Sequence, residues 1–464
     1  MVNIEKRFNL LVILVLLIFS PLFFYKLGDS SLVSFDEAWY GSIARNIAQT
    51  GDFINLTWNG SSYLDHPPAV FSLMAVLIKT FGDSEFWVRA TSAILGLASL
   101  AVVYFLGKEL FNRWIGLASA IALPSSFWFL FRARSGNLDV PLTFFFLLSL
   151  LLILKAAKNS KFLPPFFISL SFLFLSKTLV PLTIIPALIL IFWKTKISFK
   201  EFMGPLLMFI LIVGGWFLYQ LSKEPNFLNH YLGIGLPGIK TETNLGENLR
   251  LMKEYLHSGV GKWFWPGVAA IFAGPFFSRS RSFWILSLFF LSFFLPFIFS
   301  DKGHIWHLIP LHPILILAAL GLTFGFIKRI FSQKLAIGVI LLASIYISFM
   351  QLKISWYQFI DVSKYVSDEA ILSRKAAEYS YLQSSSADPL YIDGDFIPSA
   401  NFYSGKVVQQ IKRGTLTEIL KEENINLIIT YQWRLDEQKI KSSDYTIIGT
   451  DRDKILLVNQ INLP

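Results

Sequence analysis

Residues 67–81, PPAVFSLMAVLIKTF, are apolar enough to enter a bilayer and too short to cross one upright. Their reading decides the fold, because counting them as a span inverts the sidedness of every later loop. A spanning helix needs about 20 predominantly apolar residues. This run opens on two prolines and ends at GDS, so it reads as a helix lying in the outer interface.

With that run set aside, stretches fit to span fall at about 8–25, 86–107, 113–131, 138–154, 162–176, 178–193, 202–221, 263–277, 283–299, 305–327 and 335–352. If the N-terminus is inside, the inner connections carry Lys6/Arg7, Lys108/Arg113, Lys155/Lys158/Lys161, Lys194/Lys196/Lys200, Arg279/Arg281 and Lys328/Arg329/Lys334. Every inner loop is then basic, as the positive-inside rule asks, and the odd number of spans puts the C-terminus outside.

Composition agrees. Of 464 residues 54% are hydrophobic, 46 are Phe, 13 are Trp and only 16% are charged, more apolar surface than a soluble core can hide. The expected class is a polytopic α-helical membrane protein of about 11 spans plus interfacial helices, with a small C-terminal α/β domain. There are no cysteines, which excludes disulfides, thiolate metal sites and a cysteine nucleophile. The net charge of +10 sits mostly in inner loops, so it points to membrane lipids and not to nucleic acid. The run 8–25 follows Lys6 and Arg7 but lacks a small-residue cleavage site, and reads as an uncleaved signal anchor.

A few cations break the sidedness rule. Arg132, Arg134, Lys177, and Lys302 with His304 and His307, fall on the outer side in short turns, with Asp36, Glu37, Asp65 and Asp139. Lys177 divides two apolar arms of 15 and 16 residues, each reaching only about 23 Å against a core of about 30 Å. Its turn is therefore recessed, where a lysine snorkels or takes an anion such as a lipid phosphate.

In SFDEAWYGSIARNI, residues 34–47, Ser34 and Glu37 fit a capping box that opens an amphipathic helix with Tyr40, Ile43, Ala44, Ile47 and Ala48 on its apolar face. Asp36 then lies in the first turn, where the helix dipole favours the carboxylate. There it can take a proton from a hydroxyl, position an acceptor or hold a divalent cation. Asp139, in RSGNLDVPLTFF, is explicable as a cap before a helix with an early proline, or as a second functional carboxylate.

From about residue 353 the composition changes. DEAILSRKAAEYSYLQ and LTEILKEE read as helices, and PLYIDGD, INLIITY and KILLVNQ as strands, giving an expected division into a membrane part, 1–352, and an extracytoplasmic α/β domain, 353–464. The outer loop 222–262 is a candidate flap, and the sequons at Asn55 and Asn59 are expected by chance.

The ordered set of an Asp-Glu after the first span, YLDHPPAVFSLMAVLIKTFG, ARSGNLDVPLTFFFLL, LSKTLVPLTIIPAL and HIWHLIPLHPILILAALGL resembles the polyprenyl-phosphate-sugar glycosyltransferases of the C-type fold, over roughly residues 1–330. Protein O-mannosyltransferases and lipid A aminoarabinose transferases are the nearest in look. The resemblance implies an inverting transfer at the bacterial plasma membrane. A sugar on undecaprenyl or dolichyl phosphate would pass to a lipid A, glycan or protein acceptor of the cell envelope. It implies that Asp36 is the base or acceptor-positioning residue, with Glu37 its partner and Asp139 the second aspartate. Lys177 matches the lysine of a TKG turn, with Thr178 in place of Gly. His66 stands where many relatives have Lys before the paired prolines. Lys302 and His307 match a Lys and Tyr before the LP helix. Lys177, Arg134, Lys302, His66 and His307 are the implied donor-phosphate set. No glycine-rich nucleotide loop is evident, and whether a divalent cation takes part is open. The rival class is a transporter or flippase, which wants polar residues at mid-span and a pair of interrupted repeat helices; neither is evident.

Overall fold

The structure is a computed structural model that describes residues 2–193, 195, 197–235, 244–278, 280–299, 305–361, 365–382, 389–394, 396–412, 414–422 and 424–459. Among them seven helices are long and apolar enough to cross a membrane: Glu5–Phe24, Glu85–Leu110, Asp139–Ala156, Phe199–Lys223, Arg281–Ile298, Leu311–Ile330 and Gln333–Ile360. The chain is a polytopic α-helical membrane protein with a small C-terminal α/β part.

All eleven expected runs are helical, but four differ from the spans read from sequence. The run at 113–131 breaks at Ser126, leaving Arg113–Ser125 and Phe127–Ala133 bent by 73°. Pro124 sits in the tight turn Leu123–Ser125 and Ser126 is extended, so the backbone ladder cannot continue through. Leu163–Phe174 and Ile185–Phe192 have only 12 and 8 residues, about 18 and 12 Å long. Phe264–Ser278 has 15 residues. The 67–81 run forms the helix Ala69–Phe81.

The chain packs as two units, Met1–Lys26, Leu64–Val70 and Ala90–Val362 in the first, and Leu27–Tyr63, Phe71–Arg89 and Ser363–Pro464 in the second. In the first, helices approach to backbone contact. A Cβ on Gly107 would stand 2.7 Å from Cα of Gly116, a crossing that small residues permit in lipid.

The second unit holds a five-stranded sheet of β1 (Leu390–Ile392), β2 (Val408–Gln410), β3 (Leu427–Tyr431), β4 (Tyr445–Asp451) and β5 (Lys454–Asn459). The order is β2-β1-β3-β5-β4, with β1 parallel to β2 and β3, and β5 antiparallel to β3 and β4. Both faces are covered. Leu390, Ile429, Leu456 and Val458 pack with Leu372 and Ala376 of the helix Asp368–Leu382, and Ile428, Ile455 and Leu457 pack with Leu416, Ile419 and Leu420. This explains why β5 is buried along all six residues. Segments far earlier in the chain complete the unit. Asn59 and Gly60, both at positive φ, turn the short hairpin Thr57–Trp58/Ser61–Ser62. The Asn59 amide donates to Val408 O at 2.9 Å and accepts from Val408 N at 2.7 Å, so this sequon asparagine serves as a strand partner.

Candidate active site

Asp139 opens the helix Asp139–Ala156, but it is not the cap. Oδ1 of Asn137 accepts from the backbone N–H of Asp139 at 2.8 Å and of Val140 at 3.1 Å, which corrects the reading of Asp139 as a cap and leaves its carboxylate to other partners. Those partners are cations. Lys177 Nζ donates to Oδ1 at 2.5 Å and Arg132 Nη2 to Oδ2 at 2.6 Å, with Asp139 1% exposed and Lys177 6%. His307 Nδ1 lies 2.7 Å from Lys177 Nζ and 3.4 Å from Asp139 Oδ1. Three residues of the expected site thus meet, joined by one the sequence reading left out of its site, Arg132.

Each side chain is placed by a short break in helical structure. Lys177 stands between the helix Leu163–Phe174 and the tight turn Val180–Ile184. Beside it the Thr178 hydroxyl donates to Asp65 O and lies 2.8 Å from His66 Nδ1. Because the hydroxyl has one proton and gives it to Asp65, the ring nitrogen is the donor. Burial, aided by the Lys177 ammonium, pushes His66 down to about 3, so it is a neutral ring. As an expected phosphate binder it brings no charge; it fastens the Lys177 turn.

Arg132 rides on Phe127–Ala133, a seven-residue helix too short to hold itself. Its start is pinned by Ser126 Oγ at 2.7 Å from His312 Nδ1. Its side is pinned by Trp128, which stacks on Tyr255 at 5.5 Å and donates to Ser258 Oγ at 3.0 Å. Arg134, in contrast, donates to the carbonyls of Leu22 and Tyr25 at the end of the first helix, where terminal carbonyls want a cation. Lys302 lies outside the described residues. In the loop 222–262 two helices pack on the first unit. Phe227 and Tyr231 of Phe227–Gly235 are buried against Ala69, Leu175 and Trp216, and Met252, Tyr255 and Leu256 are buried in Leu245–Val260; residues 236–243 of the expected flap lie outside the described residues. Among the described residues no three or more His, Asp or Glu side chains gather to hold a metal ion.

Asp36 and Glu37 belong to the second unit. Glu37 is 3% exposed and takes Arg89 through both oxygens at 2.9 Å, while its Oε2 also accepts from Val33 N at 2.9 Å. Arg89 further donates to the carbonyls of Leu27, Ser30 and Ser31. The expected capping box with Ser34 is therefore replaced by a bidentate clamp, the stronger arrangement for a buried carboxylate. The helix starts later, at Trp39, so Asp36 sits in the turn before it and not in its first turn. Asp36 is half-exposed with φ 53° and ψ −79°, a backbone state that costs on the order of 1–3 kcal/mol for a residue with a Cβ.

The family described as dolichyl-phosphate-mannose-protein mannosyltransferase matches residues 65–217, the stretch that carries His66, Arg132, Asp139 and Lys177. The crystal structure of ArnT from Cupriavidus metallidurans bound to undecaprenyl phosphate superposes with TM-score 0.72 over 97% of this chain and 98% of that one, at 15% identity. The fold is shared. The Archaeoglobus fulgidus oligosaccharyltransferase is more distant, with TM-score 0.53 over 90% of this chain and 67% of that one, at 14% identity. In sequence, an uncharacterized protein of Aquifex aeolicus is 31% identical over 49% of this chain and 46% of its own length. An undecaprenyl phosphate-alpha-4-amino-4-deoxy-L-arabinose arabinosyl transferase of Pseudomonas fluorescens is 31% identical over 30% of this chain and 25% of its own. The chain thus matches less than half the length of these curated relatives. The resemblance to C-type-fold polyprenyl-phosphate-sugar glycosyltransferases is borne out, and these relatives lend the transporter reading no support.

Proposed function

We propose that this chain is an inverting glycosyltransferase that moves a sugar from a polyprenyl-phosphate carrier to an extracytoplasmic acceptor, whether lipid A, another glycan or a protein. The observation that carries this reading is the charge of the Asp139 cluster. Two permanent cations, Lys177 and Arg132, converge on the Asp139 carboxylate in a buried site. Cations gathered at that depth suit an anionic ligand, and the anion that reaches a turn recessed among membrane helices is a lipid phosphate. Relatives named for undecaprenyl-phosphate donors support the same ligand.

In this reading the acceptor hydroxyl attacks the anomeric carbon on the face opposite the phosphate. The new C–O bond forms as the bond to the phosphate oxygen breaks, and the lipid phosphate leaves with the electron pair. Asp36 takes the hydroxyl proton, work typically worth about 10²–10⁴ in rate. Lys177 and Arg132 stabilise the charge that grows on the departing phosphate. Asp139 and His307 orient them, and His66 fastens their turn. Glu37 holds the Asp36 backbone through Arg89. Lys302 is assigned to the same phosphate, and Arg134 fixes the first helix beside it. The N-terminus and basic loops are cytoplasmic, and the site and the C-terminal α/β part, 353–464, are outside.

The test joins native mass spectrometry of undecaprenyl phosphate on the purified chain in nanodiscs to mass spectrometry of envelope lipids and glycans from a deletion strain. Saturable binding, weakened at least tenfold in Lys177→Met, and loss of one sugar-bearing species are expected. An unchanged envelope with equal binding to both proteins overturns the reading.

A further inference from the structure

The second unit carries a polar cavity of about 290 Å³ that shares no residue with the Asp139 cluster. Its lining includes Arg45, Asn46, Gln49, Asp83, Asn401 and Tyr403. We propose that it is a binding site for a neutral saccharide.

The site is built on the far face of the helix that SFDEAWYGSIARNI predicts. Tyr40, Ile43, Ala44 and Ile47 of Trp39–Thr50 form its buried apolar face, and Ser42, itself buried, with Arg45, Asn46 and Gln49 follows the same i, i+3, i+4, i+7 spacing on the opposite face and lines the cavity. The opposite wall is the end of the helix Ile397–Ser404, which closes at Gly405 in the left-handed region, φ 69°.

The charge of the lining selects the ligand. Arg45 pairs with Asp83, and neither Lys nor a second carboxylate lines the cavity, so the wall is neutral. A phosphate or a divalent cation therefore finds no net attraction there. The polar lining also disfavours an acyl chain or an apolar peptide side chain. What remains is a solute that presents many hydroxyls, each both donor and acceptor. Planar amides, a carboxylate and a guanidinium are the side chains that answer such a pattern.

The donors are partly organised already. The Arg45 guanidinium lies 4.1 Å from the Phe402 ring centroid and donates to Phe402 O as well as to Asp83, so little freedom is lost when it binds. Asn46 donates its amide to Thr57 O at 2.9 Å, and Asn401 donates to Lys406 O at 2.7 Å, which fixes both planes. The exposed Gln49 amide makes no hydrogen bond among the described residues. The volume is at the small end of ligand cavities, ~300–1,000 Å³, the size for one or two sugar rings. The link of this site to the acceptor rests on the function proposed above; the binding itself does not.

The experiment is saturation-transfer NMR on the detergent-solubilised full chain without donor lipid, with maltotriose, mannotriose, tri-N-acetylglucosamine and inorganic phosphate as separate probes. At least one trisaccharide should bind with a dissociation constant on the order of 1 mM. Gln49→Ala should weaken it about threefold or more, and Gln49→Trp, which fills the cavity, should abolish it, both with the wild-type melting temperature. Absence of binding by all three trisaccharides, equal binding to Gln49→Trp, or phosphate binding that Gln49→Trp removes would each overturn the proposal. A chain that binds trisaccharide yet transfers no sugar would instead count against the proposed function alone.

Discussion

Replacing Asp139 by Asn removes one charge and almost no volume, so its effect isolates the electrostatics of the cluster. The carboxylate is 1% exposed and accepts from Lys177 at 2.5 Å and Arg132 at 2.6 Å. Removing one partner of a buried ion pair costs about 3–5 kcal/mol, because the other charge is left without compensation. Lys177→Met, in contrast, leaves Asp139 paired with Arg132 and should cost less, about 1.5–3 kcal/mol for a lost charged hydrogen bond. In the double variant both ends of the Lys177–Asp139 pair are gone and no Lys177 charge is left uncompensated, so the two effects should fall short of their sum by at least ~1.5 kcal/mol. Thermal and denaturant unfolding in detergent, followed by intrinsic tryptophan fluorescence, gives the cycle. Undecaprenyl phosphate should restore Asp139→Asn more than it stabilises wild type, since the added anion replaces the lost carboxylate. Additivity within ~0.5 kcal/mol, or equal stabilisation of both proteins by the lipid, would refute the pairing and the phosphate site.

Asp36→Asn should keep the melting temperature, because Asn tolerates positive φ, while transfer drops by about two orders of magnitude or more; a near-wild-type rate removes Asp36 as base. Glu37→Gln should be the more destabilising of the two, by about 3–5 kcal/mol, because it strands the buried Arg89 guanidinium; equal melting temperatures would contradict the clamp. His66 has its pKa lowered to about 3, so the stability it contributes is present above pH 6.5 and is lost as the pH falls from 6.5 towards 3. His66→Asn keeps the N–H towards Thr178 without titrating, and its melting temperature should fall less than that of wild type over that window. Reporter fusions after Lys158, Lys196 and Lys334 should read cytoplasmic, and those after Gly246 or at the C-terminus external; a cytoplasmic C-terminus overturns the sidedness.

The apolar runs were legible as helices because composition alone makes them so, and the strands at 390–392, 427–431 and 454–459 announced themselves by clustered Ile, Leu and Val. The break at Ser126 was not read, although Pro124 stood in the run, since the flanking residues are apolar on both sides. That break decides which arginine reaches Asp139. A single residue, Ala133, separates Arg132 from Arg134, and a turn tied by Asn137 to Arg132 O and Ser135 O sends them to different partners. The Glu37 clamp was hidden for another reason. Local spacing offers a capping box, while its partner Arg89 lies 52 residues away, a distance that no periodicity reports. The strands β2 and β4, VQQ and YTIIGTD, were missed because one is short and the other is only half-buried.

The second unit is assembled from pieces at both ends of the chain, 27–63 and 71–89 early and 363–464 late. At ~5–20 residues per second of synthesis, the early pieces wait on the order of 20–75 s before the last strand of the sheet, Lys454–Asn459, is made. During that wait Asn59 has no Val408 to hold and Arg45 no Phe402 ring beneath it. The Arg89–Glu37 pair, in contrast, lies wholly within the early pieces and can close at once. Biogenesis of this protein is therefore ordered in time. An ion pair drawn from the first 89 residues keeps the Asp36 turn in shape while most of the membrane helices are still being inserted, and the sheet docks last.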